Sequence, residues 1–125
     1  MIREHTKTEA EMELLKFGEK ELFEINCPSI EFDERFYEVR FKSFFDDKCK
    51  LLILWQKEIP VAYIALDVLN FNSRHSLGRV TSIFVLEKYR RQGFAKLLIK
   101  NALSLESINT INLQVYSNNE AALGL

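Results

Sequence analysis

The residues best suited to chemistry form the stretch Tyr89-Arg90-Arg91-Gln92-Gly93-Phe94-Ala95-Lys96. An apolar, strand-like run precedes it, Val80-Thr81-Ser82-Ile83-Phe84-Val85-Leu86, and a helix-like run from Ala95 to Leu105 follows. A strand, a tight basic turn with one glycine and then a helix make a device for holding pyrophosphate. The N–H groups at a helix start have no intrahelical partner. The helix dipole adds about half a positive charge there. Gly93 lets a ligand come close to the backbone, and Ala95 is small enough not to block it. Arg90 and Arg91 add positive charge for an anionic ligand, and the main-chain donors run from Arg91 to Lys96. The chain holds neither G-x-x-x-x-G-K-[ST] nor G-x-G-x-x-G, which sets aside the P-loop and the dinucleotide turn.

The pattern Arg90-x-x-Gly93-x-Ala95 resembles the [QR]-x-x-G-x-[GA] signature of the N-acetyltransferases of the GNAT superfamily, whose turn binds the pyrophosphate of acetyl-CoA. The stretch Leu113 to Leu123 is similar to the superfamily's other common segment, a strand and an asparagine-containing loop before a helix reading N-x-x-A-x-x-L-Y. Asn119 aligns there with the asparagine that touches the pantetheine arm, and it fits a plain helix N-cap equally. The hairpin Leu51 to Leu69 also looks typical, with Pro60-Val61-Ala62-Tyr63-Ile64 where members often carry V-G-x-I.

The resemblance implies an α/β (α+β) fold of the acyl-CoA N-acyltransferase type, a mixed central sheet flanked by helices. It implies a single domain over residues 1–125, with the acetyl-CoA motifs in 80–125. It implies an enzyme that moves an acetyl group from acetyl-CoA to a primary amine by direct attack, without a metal. The acceptor is a small molecule or a peptide. The alternative is an acyl-CoA-binding or interaction module that does not turn over.

Acetyl transfer makes defined demands. A lysine-like amine has a pKa near ~10.4, so a base or a water chain must take a proton before it attacks. A backbone N–H must polarise the thioester carbonyl. In the family that N–H comes from the strand before the turn, where a bulge splays the chain, which here means Ile83, Phe84 or Val85. The resemblance places the same three residues along the cofactor, with Val85 as the oxyanion donor. Some members carry a glutamate on this strand, but the segment here reads Thr81-Ser82-Ile83. Asp67 on the preceding strand is the nearest candidate base, and a solvated strand-end residue explains it as well. Glu34 and Glu38 read as a solvated helix face, and His75 as a surface residue. Cys27 and Cys49 have no metal-ligand or redox spacing.

The elements that must position this turn follow from patterning. Thr8-x-x-Glu11 fits a capping box, followed by Leu14, Leu15, Gly18, Leu22 and Ile25 at helical spacing. Pro28 ends that helix. Ser29 or Asp33 caps a second one with Tyr37, Phe41, Phe44 and Phe45 along one side and Phe36 alongside, a stripe that reads as core and that the resemblance implies could also shape the acceptor groove. Strands are predicted over Ile2 to Glu4, Lys50 to Trp55, Pro60 to Leu69, Val80 to Leu86 and Thr110 to Tyr116, with a polar loop over Asn70 to Gly78. A last helix is predicted from Glu120.

Composition sets the outer bounds. The 125 residues carry a formal charge of −1, 47% apolar and 28% charged residues. That is one domain with a real core and without the basic excess that nucleic acid or an anionic membrane requires. No apolar run approaches the ~20 residues of a membrane span, and the polar N-terminus has no signal-peptide core, so the expected location is cytoplasmic. Family members continue past Leu123 with a tyrosine and a closing pair of strands, whereas position 124 here is Gly. The resemblance therefore implies a domain lacking its C-terminal end. Three readings stand open: a shortened chain, one completed by a partner, or a degenerate non-enzyme. A bare edge on strand 110–116 predicts a homodimer or larger assembly.

Overall fold

The computed structural model describes residues 1–70, 76–105, 108 and 110–112. The described elements are β1 (Ile2–Glu4), α1 (Glu9–Asn26), α2 (Arg35–Phe44), β2 (Cys49–Gln56), β3 (Ile59–Asn70), β4 (Ser76–Val85), a 3₁₀ turn (Glu87–Tyr89), α3 (Phe94–Leu103) and β5 (Thr110–Asn112). The strands form one sheet in the order β1-β2-β3-β4-β5, antiparallel except for the parallel pairing of β5 with β4. The mixed sheet flanked by helices is the expected fold class. No described helix is long and apolar enough to cross a membrane.

Side-chain alternation assigns the two faces. Leu52, Leu54, Ala62, Ile64, Leu66, Ile83 and Val85 point to the side packed by α3. Leu51, Ile53, Tyr63, Ala65 and Phe84 point to the side packed by α1 and α2. The central strands are therefore apolar on both faces, as a sheet covered by helices on both sides requires.

The first helix starts as its sequence dictates. Thr8 Oγ1 accepts from Glu11 N–H (3.3 Å), and Glu11 Oε1 accepts in return from Thr8 N–H (3.4 Å). The second helix departs from expectation. Its N-cap is Glu34, without a side-chain cap bond, while Asp33 stands one residue earlier and accepts from Arg35 N–H (2.9 Å). Of its aromatic stripe only Phe44 is fully buried. Phe32, Phe36, Tyr37 and Phe41 form a chain of ring contacts 5.1–5.9 Å apart that joins α2 to Phe23 of α1. The stripe is thus half core and half surface.

β4 begins at Ser76 rather than Val80, because Ser76–Arg79 pair with Asp67–Asn70 of β3 and Leu77–Arg79 also pair with β5. Ladder hydrogen bonds override the polar composition that suggests a loop there. The expected strand residues 113–116, Asn119 and the helix from Glu120 lie outside the described residues, as does His75.

Candidate functional site

The chain leaves β4 at Val85, passes the 3₁₀ turn, and reaches α3 through Arg90 to Gly93. Two residues in this turn adopt left-handed backbone, Arg91 at φ 63° and Gly93 at φ 81°. Gly93 is the N-cap of α3 and offers no side chain to the helix start. The first helical bond runs from Leu97 N–H to Gly93 O (3.0 Å). The N–H groups of Phe94, Ala95 and Lys96 therefore precede the helical ladder and carry the positive end of its dipole. A Cβ built on Gly93 would meet no atom within 4 Å, so the space above the glycine is open. Arg91, Gln92, Gly93 and Lys96 are exposed and Phe94 is half-buried.

Two expectations about side chains change here. Ala95 is 2% exposed and packs into the core, so its small size serves the approach of α3 to the sheet rather than room for a ligand. Arg90 turns inward instead of outward. Its Nε donates to Val85 O (2.8 Å), its Nη2 pairs with Glu21 (3.2 Å), and its guanidinium lies 5.7 Å from the Phe84 ring centroid. Glu21 offsets its charge, so Arg90 clamps the turn to β4 and α1. Among the described residues Arg91 and Lys96 have no ion-pair partner and remain the outward cations.

The end of β4 presents main-chain groups beside this turn. Leu86 N–H donates to Val61 O (2.9 Å), which makes that pair a hydrogen-bonded one. Antiparallel pairs alternate, so Phe84 and Ser82 face their β3 partners Tyr63 and Ala65 as bonded pairs. The N–H and C=O of Ile83 and Val85 then point away from β3. The Arg90 bond to Val85 O agrees with that direction. Phe84 N–H is consumed by the sheet, which leaves Ile83 and Val85 as the outward donors of the three. A register shift places an extra residue, Thr81, opposite the Ala65–Leu66 step, and Thr81 Oγ1 donates to Ala65 O (3.3 Å). The strand thus carries a β-bulge immediately before Ser82 and Ile83.

Sequence reasoning missed a buried polar cluster next to this bulge. Glu19 is 3% exposed. Its Oε1 accepts from Arg40 Nε (2.9 Å) and from Ser82 Oγ (3.0 Å), and its Oε2 accepts from the Tyr63 hydroxyl (2.5 Å). Arg40 Nη2 closes the ring on Ser82 Oγ (2.8 Å), and its guanidinium lies 4.5 Å from the Phe44 ring centroid. Burial, with Glu19 beside it, pushes the Tyr63 hydroxyl well above its usual pKa, so it stays a donor. The signal in the sequence was a glutamate on the apolar stripe of α1, four residues after Leu15 and three before Leu22. A charge on a buried stripe demands a partner.

Asp67 lies apart from the turn. It pairs with Arg79 (3.1 Å), in register opposite it, whereas Ile83 stands opposite Ile64. Three residues of strand put Asp67 about 10 Å from the Ile83 level. It lines an open cleft of about 480 Å³ with Val39, Lys42, Ser43, Lys48 and Arg79. Cys49, opposite Asp67 on β2, has its thiol pushed up to about 11 by burial, with the Asp67 carboxylate adding to the shift. Glu34 and Glu38 are exposed. The structure therefore groups Ile83, Val85 and Arg90 to Lys96, and leaves Asp67 on the neighbouring cleft.

Solved structures share this architecture. A possible acetyltransferase from Clostridium difficile 630 superposes with a TM-score of 0.73 at 22% identity, covering 97% of this chain and 83% of that one. An aminoglycoside acetyltransferase from an uncultured soil metagenomic sample, in complex with sisomicin, gives 0.71 at 16% identity, covering 98% and 82%. A ribosomal-protein-alanine N-acetyltransferase from Brucella melitensis biovar Abortus 2308 gives 0.68 at 18% identity, covering 98% and 85%. At these identities the likeness speaks for the fold alone. A search of curated proteins gives no match. The family model described as acetyltransferase (GNAT) family matches residues 16–125, and with the β-bulge, the glycine turn and the α3 start already in place, the chain belongs to that family.

Proposed function

We propose that this protein binds acetyl-CoA and transfers the acetyl group to a primary amine. The observation that carries this reading is the α3 start, where uncapped N–H groups stand over a glycine with open space above it. The fit is chemical: a pyrophosphate needs several converging donors and no side chain in its way. Residues Arg91 to Lys96 would hold it through main-chain N–H groups, with the Arg91 and Lys96 side chains adding charge. Bound acetyl-CoA supplies an activated thioester. Ile83 and Val85 N–H groups lie along the same strand end and suit its carbonyl and pantetheine amides; we assign the carbonyl to Ile83, which follows the bulge, in place of Val85, and the pantetheine amides to Val85.

The amine nitrogen attacks the thioester carbon, the C–N bond forms, the C–S bond breaks, and the sulfur leaves as CoA thiolate. The proton lost by the amine balances the one the thiolate takes up. Asp67, which shares the cleft with Asp46, is the carboxylate we assign to receive an ammonium group and pass its proton on through water. Its distance from Ile83 and its pairing with Arg79 favour a second reading, acyl-CoA binding without turnover.

Calorimetry with acetyl-CoA on the wild type and on a folded Gly93→Val variant tests the site. We expect binding by the first and none by the second; equal affinity would remove the turn as the binding site. Release of CoA thiol in the presence of an amine panel separates transfer from binding alone.

A further inference from the structure

We propose that Glu19, Arg40 and Ser82 are positioning residues that fix the Ser82–Ile83 peptide and so aim the Ile83 N–H at the acyl carbonyl. The inference rests on the proposed binding of acetyl-CoA along β4.

A bulge removes a regular ladder bond and leaves the bulged strand locally less constrained. Yet a donor that stabilises a developing oxyanion must be held in place before the reaction, because reorienting it would cost part of what it contributes. In this chain the bulge is pinned twice. Thr81 Oγ1 holds to Ala65 O on β3. Ser82 Oγ is gripped between Glu19 Oε1 and Arg40 Nη2, which also bond to each other. The peptide that carries the Ile83 N–H begins at Ser82, so fixing the Ser82 side chain limits rotation of that peptide. The Tyr63 hydroxyl fills the second oxygen of Glu19, so both carboxylate oxygens are engaged. The cluster draws on α1, α2, β3 and β4 at one point, immediately after the bulge. Nothing about stability requires that placement. A buried ion pair with its hydroxyls is often no better for stability than apolar residues of the same volume. Its value here is geometric. Arg40 is also the only member of the three with appreciable exposure, 18% at its side chain, and it sits on α2 beside Val39 and Ser43 of the cleft.

The test compares acetyl-CoA with CoA on wild type, Ser82→Ala and Arg40→Met, each first confirmed folded by thermal melting. CoA lacks the acyl carbonyl, so the affinity ratio isolates the contact in question. We expect wild type to favour acetyl-CoA. In both variants that preference should fall about threefold to tenfold, the range of one modest hydrogen bond, while CoA affinity stays within about twofold. Infrared difference spectra of [1-¹³C]acetyl-CoA give a second readout: the bound carbonyl band should lie below its solution position in wild type and move back toward it in Ser82→Ala. Unchanged preference and an unchanged band in folded variants overturn the positioning role while leaving the proposed binding intact. Failure of wild type to bind either ligand overturns both. If Arg40→Met does not fold, Ser82→Ala alone decides, since it removes a single oxygen.

Discussion

A Cβ placed on Gly18 would stand 2.5 Å from the Tyr63 hydroxyl oxygen, so α1 lies on the sheet at a separation that glycine alone permits. The same Cβ would come within 2.7 Å of Tyr63 Cε1 and 2.8 Å of Phe84 Cδ2. Both rings are buried and cannot swing away. Gly18→Ala gains roughly 0.5–1 kcal/mol of helix propensity and meets an overpacking cost of about 1–3 kcal/mol. We expect a lower urea midpoint and, because Glu19 is the next residue, weaker protection of the Tyr63 hydroxyl from exchange. A higher midpoint would mean α1 does not approach the sheet this closely.

Leu98→Ala removes a fully buried side chain between α3 and the sheet. The expected loss is about 2–5 kcal/mol. Lys100→Ala, exposed on the same helix, should move stability by no more than about 0.5 kcal/mol. Equal effects of the two would show that the helix is rotated from the orientation described.

Arg90→Lys keeps the charge and loses the geometry. Lysine cannot donate from Nε to Val85 O while also reaching Glu21. If Arg90 acts as a clamp, CoA affinity falls about tenfold or more, the equivalent of one charge-assisted hydrogen bond. Affinity equal to wild type in titration calorimetry would assign Arg90 a purely electrostatic role.

Cys49 gives a pH dependence of defined sign. Burial, then the Asp67 carboxylate, holds its thiol up to about 11, above the usual value near 9. The raised value means the unfolded chain gives up this proton first. The contribution to stability is complete below about pH 9 and is lost as pH rises toward 11. The loss is moderated by partial solvent access. Denaturant melts of wild type and Cys49→Ala should therefore diverge in slope between those two pH values. Parallel curves would contradict the buried environment.

Much of the frame could be read without coordinates, because local chemistry specifies it. Thr8 with Glu11 announces a helix start, and Ala95, Leu98 and Ala102 announce its buried face on α3. The turn at Gly93 was legible because a left-handed N-cap with no neighbour at Cβ has few alternatives to glycine. What escaped depended on partners far along the chain. Ser76 to Gly78 look like loop and become strand only because Val68 to Asn70 lie opposite. Arg90 looks like a ligand-facing cation and is claimed by Glu21, 69 residues earlier. Glu19 is hidden from a periodicity that counts apolar positions, and only contact with Arg40, Ser82 and Tyr63 explains a carboxylate among them.

The order of strands across the sheet has a consequence for how the chain acquires its shape. Sheet order equals chain order, so β2, β3 and β4 form a meander whose pairings span neighbouring segments. Short loops close early and at low entropic cost. During synthesis the segment Cys49 to Val85 can therefore assemble while α3 is still being made. The long closure is β1 onto β2, Ile2 opposite Leu54, which carries α1 and α2 across as a single loop. The costlier closure is thus the one that joins β1 to the meander, and α1, which holds Glu19, lies inside the loop that it closes.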